Sequence, residues 1–180
     1  VPTTSTDAAL ADVSEPARSL PPVDQMDTYL RALLGALSSH PDLVRWLATD
    51  DLIRQMANGI ARISSGQSPA ANVTVLRPEG DFTVARRQST MTVDAASFAR
   101  YNRLTGLVES LEPRGVAEAY RTIQPRLDEA YRALGQSESG VDVALDQALQ
   151  LLIDTPVPAD TIVVVPGPGA TYAFADPALE

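Results

Sequence analysis

The sequence contains no lysine, no cysteine and a single histidine, His40; all 14 basic residues are arginine. Without lysine the chain cannot form a Schiff base, anchor pyridoxal phosphate or supply a P-loop lysine. Without cysteine it has no thiol nucleophile, zinc ribbon, iron–sulfur ligand or disulfide, and one histidine cannot build a metal site of two or three histidines. We therefore expect no catalytic, cofactor-binding or metal-binding residues and no cofactor.

The charge balance is acidic, with 14 arginines against 23 aspartates and glutamates and a net charge of -9. This excess repels phosphate backbones, so nucleic acid is not an expected partner. The longest purely aliphatic stretch is Ile162 to Val165, far below the roughly 20 residues that span a bilayer. The chain given is therefore not expected to insert into a membrane. The absence of cysteine suits the cytosol and an exported domain equally.

Composition divides the chain into two parts. Residues 1–22 contain four prolines and six serines or threonines, with few large aliphatic residues. Such a segment buries too little apolar surface to offset its ordering entropy, so it is predicted to be a flexible linker. Residues 23–180 are predicted to form one globular domain, since this length suffices for a hydrophobic core.

Apolar residues at helical spacing predict a series of helices between Asp24 and Pro156. Asp24 or Asp27 is expected to cap the first helix, Pro41 to open the second, Thr49 to cap the third and Asp94 to cap a later one. Pro125 lies inside another helical pattern, which it is expected to kink or split. The predicted apolar stripes comprise Tyr29 to Leu37, Leu43 to Leu47, Leu52 to Ile63, Phe98 to Leu111, Val116 to Leu134 and Val141 to Ile153.

Two stretches show the alternation typical of strands. Residues 81–86 and 90–93 are predicted to pair about a turn at Gln88-Ser89, and residues 161–165 and 171–174 about the Pro166 to Gly169 turn. The expected fold class is mainly α, within α+β. It consists of a helical, bundle-like body with a small antiparallel sheet made of two hairpins.

Three motifs invite a catalytic or binding interpretation. His40 is the only side chain that titrates near neutral pH, but its place before Pro41 favours a helix cap at the surface. The segment Gly66-Gln67-Ser68-Pro69-Ala70 approximates a nucleophile elbow but follows a helix instead of a strand. Gly167 and Gly169 lie between two strands, which favours a tight turn over a phosphate loop.

Charged and aromatic residues offer weaker candidates. Asp50-Asp51 is the densest carboxylate pair, yet acidic residues are favoured at a helix start by the helix dipole. Arg86-Arg87 ends a strand, where one arginine is expected to face the helical layer and form an ion pair with a carboxylate while the other faces water. A site for an acidic ligand is the alternative. The other glutamates considered, with no spacing that brings them together, are Glu79, Glu109, Glu112, Glu118 and Glu129. Five aromatic residues are expected to pack in the core, with a ligand-stacking surface as the second interpretation: Trp46, Phe98, Tyr101, Tyr120 and Tyr131.

Several short motifs occur in a recognisable order. They are Leu20-Pro21-Pro22-Val23-Asp24, Trp46-Leu47, Asp50 to Arg54, Gly66 to Pro69, Leu76 to Gly80, Ser97 to Tyr101, Tyr120-Arg121, Pro125, Glu129 to Gly135, Thr155 to Pro158 and Tyr172 to Glu180. In this order they resemble the bacterial family of domains of unknown function numbered 3014. Where that family often has Arg-Phe-Val followed by Asp-Asn-Leu, this chain has Arg54-Gln55-Met56 and Asn58-Gly59-Ile60.

The resemblance implies no activity and no catalytic residues. It implies an envelope protein held at the periplasmic face of the inner membrane by an anchor absent from this chain. It also implies that the natural protein continues past Glu180. A cytoplasmic location is the alternative. The expected function is a non-enzymatic binding or structural module whose partner is another envelope protein or a cell-wall component. The alternative is a hydrolase or lyase that acts on a cell-wall sugar or peptide through two carboxylates in one cleft. A third alternative is a small-ligand or lipid-binding domain with an apolar cavity.

Overall fold

The computed structural model describes residues 20–135, 139–158, 161–169 and 171–179. Residues 1–19, most of the predicted linker, lie outside this range. The described part contains seven α-helices: α1 Met26–Gly35, α2 Pro41–Leu47, α3 Leu52–Ser64, α4 Ala95–Ala99, α5 Asn102–Glu109, α6 Pro113–Ala133 and α7 Gly140–Asp154. Its four strands are β1 Val84–Arg87, β2 Thr90–Val93, β3 Val163–Pro166 and β4 Tyr172–Phe174. The predicted fold class, mainly α with a small antiparallel sheet, is confirmed.

Helix α3 lies at the centre of the helical body, where it packs against α1, α6 and α7. Small residues face these contacts, since Ala57 and Ala61 of α3 are buried, as are Ala119 and Ala130 of α6. Alanines let the helix axes approach closely. The large side chains fully buried around them are Met26, Leu30, Leu52, Ile53, Ile123, Leu127 and Val141.

The start of α3 is capped from another helix. The carboxylate of Asp27 in α1 accepts hydrogen bonds from the backbone amides of Asp51, at 2.8 Å, and Leu52, at 2.9 Å. Thr49 instead donates its hydroxyl proton to the carbonyl of Trp46. The expectations that Asp24 or Asp27 caps α1 and that Thr49 caps α3 were therefore wrong. The local pattern could not reveal a cap that comes from a residue 24 positions away.

The helix predicted after Asp94 is interrupted. Asp94 caps α4 as expected, accepting from the amide of Ala96 at 2.9 Å, but the chain breaks at Tyr101 before α5 begins. The hydroxyl of Ser97 accepts from the amide of Thr83 and donates to its carbonyl, both at 2.8 Å. This pair ties the buried face of α4 to the chain before β1, so Phe98 faces solvent.

Helix α6 is continuous from Pro113 to Ala133 and includes Pro125. Of the two predicted effects, a kink or a split, the split does not occur. A proline removes one backbone hydrogen bond of the helix. Burial of Ile123 and Leu127 on either side holds both halves of the helix in the same core.

The two predicted hairpins share one antiparallel sheet in the order β1-β2-β3-β4. β1 pairs with β2 from Val84 opposite Val93 to Arg87 opposite Thr90. The hairpins are joined where Met91 and Thr92 lie opposite Val164 and Val163. Val164, which is 3% exposed, is the buried residue of the four strands.

Candidate functional site

The most extensively paired charge of the described residues is the carboxylate of Asp42 at the start of α2. Its side chain is only 5% exposed. Arg103 of α5 donates from Nε to Oδ2 at 2.9 Å and from Nη2 to Oδ1 at 2.5 Å. Arg45 donates to Oδ1 at 2.7 Å, and Arg103 also pairs with Glu79. The network therefore joins α2, α5 and the loop before β1.

This arrangement fixes the ionisation of its members. The hydrogen bonds from Arg103, aided by the charges of Arg103 and Arg45, hold the pKa of Asp42 below its usual value although burial acts in the opposite direction. The same hydrogen bonds to Asp42 and Glu79 raise the pKa of Arg103. A carboxylate with a lowered pKa and two guanidinium partners is a poor proton donor or acceptor at neutral pH. We interpret the network as a structural one.

His40 is the N-cap of α2, as expected. Its Nδ1 accepts a hydrogen bond from the backbone amide of Asp42 at 3.2 Å, and Pro41 occupies the first helical position. Nδ1 also lies 3.9 Å from Oδ2 of Asp42. Because the two arginines already bond that carboxylate, His40 lacks the orienting partner that a catalytic triad requires.

Asp50 and Asp51 point to different partners. Asp50 lies 3.2 Å from Nη2 of Arg31, whose guanidinium also donates to the carbonyls of Leu47 and Thr49 at the end of α2. Asp51 pairs with Arg54 at 2.6 Å. These contacts hold α1, α2 and α3 together. The expectation that this pair lies at a helix start is confirmed, since Asp51 directly precedes α3.

The glutamates considered above do not converge. Glu79 pairs with Arg103, and Glu129 with Arg126 at 2.7 Å. Glu112 caps α6 by accepting from the amides of Arg114 and Gly115. The remaining two, Glu109 and Glu118, are exposed.

The expectation for Arg86-Arg87 was wrong. Both residues are exposed at the end of β1, and neither forms an ion pair with a carboxylate of the described residues. β1 is an edge strand of the sheet. Charged side chains on an edge strand discourage pairing with other chains.

The aromatic residues divide into buried and exposed members. Tyr131 is 4% exposed, and Trp46 packs against the core while its indole Nε1 donates to Gln55 at 2.9 Å. Phe98 and Tyr101 are instead 54% and 47% exposed. Their assignment to the core was wrong because the interruption between α4 and α5 turns both side chains outward.

Tyr120 of α6 joins the edge of the core to α7. Its hydroxyl donates to Asp142, which also accepts from Gln124 at 2.9 Å. Burial, followed by the hydrogen bond to Asp142, raises the pKa of Tyr120. The tyrosine therefore remains protonated at any physiological pH.

The glycine motifs have structural roles. Ser68 caps a short 3-10 helix, Pro69–Ala71, after α3, so it does not occupy a nucleophile elbow. Between β3 and β4 the amide of Gly167 donates to the carbonyl of Thr171 at 2.9 Å, and Gly169 has φ +67°. A side chain at Gly167 would place Cβ 2.7 Å from Oγ1 of Thr171. The predicted tight turn is confirmed.

None of five clefts along the described ranges is lined by a pair of carboxylates. One is lined by Asp81, one by Asp176 and the other three by no carboxylate. Residues 20–135, 139–158, 161–169 and 171–179 contain no group of three or more His, Asp or Glu side chains placed to hold a metal ion. The paired carboxylates that a hydrolase would need are not found in these clefts.

One cleft is apolar along its whole length. This groove, with a volume of about 410 Å³, lies among α1, α3, α6 and α7. Apart from the phenol of Tyr120, its lining side chains are all aliphatic or methionine: Leu34, Leu37, Met56, Ile60, Pro113, Val116, Ala117, Ala119, Ile123, Leu127, Leu145 and Leu149. Its size falls within the range of binding sites in proteins.

The groove continues onto an exposed end of α7. Leu149, Leu152 and Ile153 are 49%, 59% and 76% exposed, which corrects the expectation that they belong to the buried stripe. Helix α7 instead buries Val141, Ala144 and Ala148. Leu151 and Val157 nearby are also exposed. Leu149 lines the groove, and Leu152 and Ile153 follow it on the same face of the helix at spacings of three and four residues. The groove together with these three residues is here called the α7 surface.

Sequence reasoning missed Asp42, Arg103 and the α7 surface. Asp42 has an ordinary local signal, an acidic residue in the first turn of a helix, and its partner Arg103 lies 61 positions away. The α7 surface escaped because leucines at helical spacing predict a buried face equally well whether or not a neighbour covers it.

No described helix combines the length and hydropathy needed to cross a lipid bilayer.

Comparison with known proteins yields one match. A family model described as "Protein of unknown function (DUF3014)" matches residues 52–180. Neither the curated proteins nor the solved structures contain a significant match. The matched region begins at α3, so the motifs quoted before Leu52 lie outside it. Because the match covers well over half of the chain, this protein belongs to the DUF3014 family of proteins of unknown function.

Proposed function

We propose that this domain is an envelope-associated, non-enzymatic binding module, with the α7 surface as its contact site. The proposal places it at the periplasmic face of the inner membrane, held there by a membrane anchor outside this chain, with another envelope protein as its partner. The observation that carries the binding role is the apolar groove continued by the exposed end of α7. Large contiguous apolar patches on a folded protein typically mark interaction sites.

The shape of the surface favours a helical partner. A groove among parallel or crossing helices receives an amphipathic helix whose anchors recur at i, i+3, i+4 and i+7. Leu149 lines the groove, and Ile153 lies one turn further along α7. A docked helix would therefore cover both residues at once.

The negative charge of α7 favours a positively charged partner. This helix carries Asp142, Asp146 and Asp154 and no basic residue. Asp154 lies in the last turn, where the negative end of the helix dipole favours a cation instead. Two copies of α7 would repel each other across an interface, so the occupant proposed is a helix of another protein that carries arginine or lysine beside its apolar stripe.

The rival proposal of a carboxylate hydrolase or lyase finds no specific support. Each described cleft holds at most one carboxylate. The most deeply buried carboxylate, Asp42, is held by two arginines.

Binding can be tested with a pair of designed helical peptides. Both carry leucine at i, i+3, i+4 and i+7; one has arginine and the other glutamate at the remaining exposed positions. Fluorescence anisotropy at low salt should show at least tenfold tighter binding of the arginine peptide, and added salt should weaken it. Equal affinity for the two peptides would refute the charge argument.

Matched variants locate the contact. Leu149→Ser, in the groove, should weaken binding of the arginine peptide at least fivefold. Val44→Ser removes an apolar residue that is 55% exposed on α2 and should leave the affinity unchanged. Binding insensitive to Leu149→Ser would exclude the α7 surface.

The location is tested separately. In cells that express the full-length gene product, protease added to spheroplasts should digest this domain, whereas a cytoplasmic marker should survive. Protection of the domain until lysis would overturn the envelope assignment without affecting the binding proposal.

A further inference from the structure

A second cleft lies on the sheet, away from the α7 surface. It has a volume of about 510 Å³ and is lined by Asp81, Phe82, Val164 and Thr171 to Phe174. Three of the protein's aromatic residues, Phe82, Tyr172 and Phe174, meet in this cleft. These residues are 40%, 39% and 38% exposed, respectively.

The backbone explains why the rings share one face. Tyr172 and Phe174 are two positions apart on β4, so their side chains project from the same side of the strand. Phe174 lies opposite Val164 of β3. Phe82 precedes β1 and reaches Tyr172, with ring centroids 5.8 Å apart and planes inclined at 45°. This tilted aromatic pair forms part of the wall of the cleft.

The polar lining of the cleft is sparse and acidic. Asp81 is exposed, and its carboxylate forms no ion pair or hydrogen bond with another described residue. The hydroxyl of Thr171 donates to the carbonyl of Pro168 at 2.7 Å, so its proton is already used. Among the residues that the structure describes, no arginine lines the cleft.

These features select for a cation that offers no hydrogen-bond donors. Aromatic faces carry partial negative charge and attract alkylammonium groups, particularly quaternary ones, which need no acceptor geometry. A carboxylate beside the rings adds a compensating charge. An anion would be repelled by Asp81 and by the net charge of -9. A sugar would require more hydrogen-bonding groups than the cleft supplies.

We infer that the cleft formed by Asp81, Phe82, Tyr172 and Phe174 binds a quaternary ammonium group. The ligand is either a soluble compound or the headgroup of a lipid, since both present the same trimethylammonium chemistry. This site goes beyond the proposed docking of a helix on the α7 surface, and it uses none of the residues of that surface.

The test compares choline with 3,3-dimethylbutan-1-ol, its uncharged analogue of the same shape. Choline should produce saturable amide chemical-shift changes at Phe82 and Tyr172 in two-dimensional NMR spectra of the 180-residue chain. The neutral analogue should bind at least fivefold more weakly. Equal affinity of the two compounds, or an absence of saturable shifts with choline, would overturn the inference.

Substitutions test how much each side chain contributes to choline binding. Asp81→Asn should weaken choline binding at least threefold, and Tyr172→Leu should reduce it at least tenfold, whereas Tyr172→Phe should retain it within twofold. Tyr101→Leu, which removes an exposed ring elsewhere, is the matched control and should bind as the unaltered chain does. Thermal unfolding followed by circular dichroism checks that each variant is folded. Loss of binding in Tyr101→Leu equal to that in Tyr172→Leu would refute the site.

Vesicles distinguish the two sources of the ligand. Co-sedimentation with phosphatidylcholine vesicles but not phosphatidylglycerol vesicles, abolished by Tyr172→Leu, identifies a lipid headgroup. Choline binding without vesicle binding identifies a soluble compound. Co-sedimentation that survives Tyr172→Leu, together with failure of that variant to alter choline binding, contradicts the site for either source.

Discussion

Replacing Asp42 by asparagine removes one negative charge from the network that joins α2 to α5. The carboxylate is 5% exposed and accepts three hydrogen bonds from Arg103 and Arg45. Breaking a fully buried ion pair costs about 3–5 kcal/mol. The cost here is lower because the side chain of Arg103 is 36% exposed and retains Glu79 as a partner. We expect Asp42→Asn to lower the free energy of unfolding by about 2–3 kcal/mol.

Urea unfolding followed by circular dichroism measures this cost, and its pH dependence tests the cause. The pKa of Asp42 is lower in the folded state, so its contribution is complete above the unfolded pKa of about 4 and is lost as the pH falls through the folded pKa. Asparagine does not titrate. The difference between the two proteins should therefore be constant near neutral pH and shrink below about pH 4.

Arg45→Gln is the matched control. Arg45 bonds the same oxygen but its side chain is 68% exposed, so its loss should cost no more than about 1 kcal/mol. A cost below about 0.5 kcal/mol for Asp42→Asn, or a difference that persists unchanged to acid pH, would refute the role assigned to this carboxylate.

Six further substitutions test other contacts. Asp27→Ala, which removes the cap of α3 supplied by α1, should cost about 1–2 kcal/mol in urea unfolding. Tyr120→Phe should cost about 0.5–1.5 kcal/mol; in a spectrophotometric titration it should also remove a phenol that ionises at higher pH than an ordinary tyrosine, because its pKa is raised. Leu127→Ala, at a position 0% exposed, should cost about 2–5 kcal/mol, whereas Ile153→Ser on the α7 surface should change stability by less than about 0.5 kcal/mol. Gly167→Ala should destabilise the β3–β4 hairpin, and Thr171→Ala should partly relieve that effect because the added Cβ meets Oγ1 of Thr171.

Several predictions that rest on local chemistry are confirmed. Pro41 opens α2 because a proline lacks the amide that a first turn leaves unpaired. Asp94 caps α4 through the amide of Ala96, and Gly135, with φ +71°, follows the end of α6. The β3–β4 turn follows equally from glycine between prolines. In each case the cause lies within a few residues of the effect.

The errors concern residues whose partners lie far along the chain. Phe98 has the helical spacing of a core residue, but the bonds between Ser97 and Thr83 decide which face of α4 is buried. Thr49 has the chemistry of a cap, but Asp27 occupies that role. Asp42 was not selected as a candidate because no residue near it in the sequence indicates that it pairs with Arg103.

The sequence by itself determined most of the helices, the two hairpins, the mainly α class and the absence of thiol, lysine and multi-histidine chemistry, because these depend on residue type and short-range periodicity. The tertiary structure alone decided which apolar stripe remains uncovered, which carboxylate is buried among arginines and which aromatic rings meet above the sheet. Those outcomes depend on contacts between residues distant in sequence, and a periodic pattern records that a face is apolar without recording what packs against it.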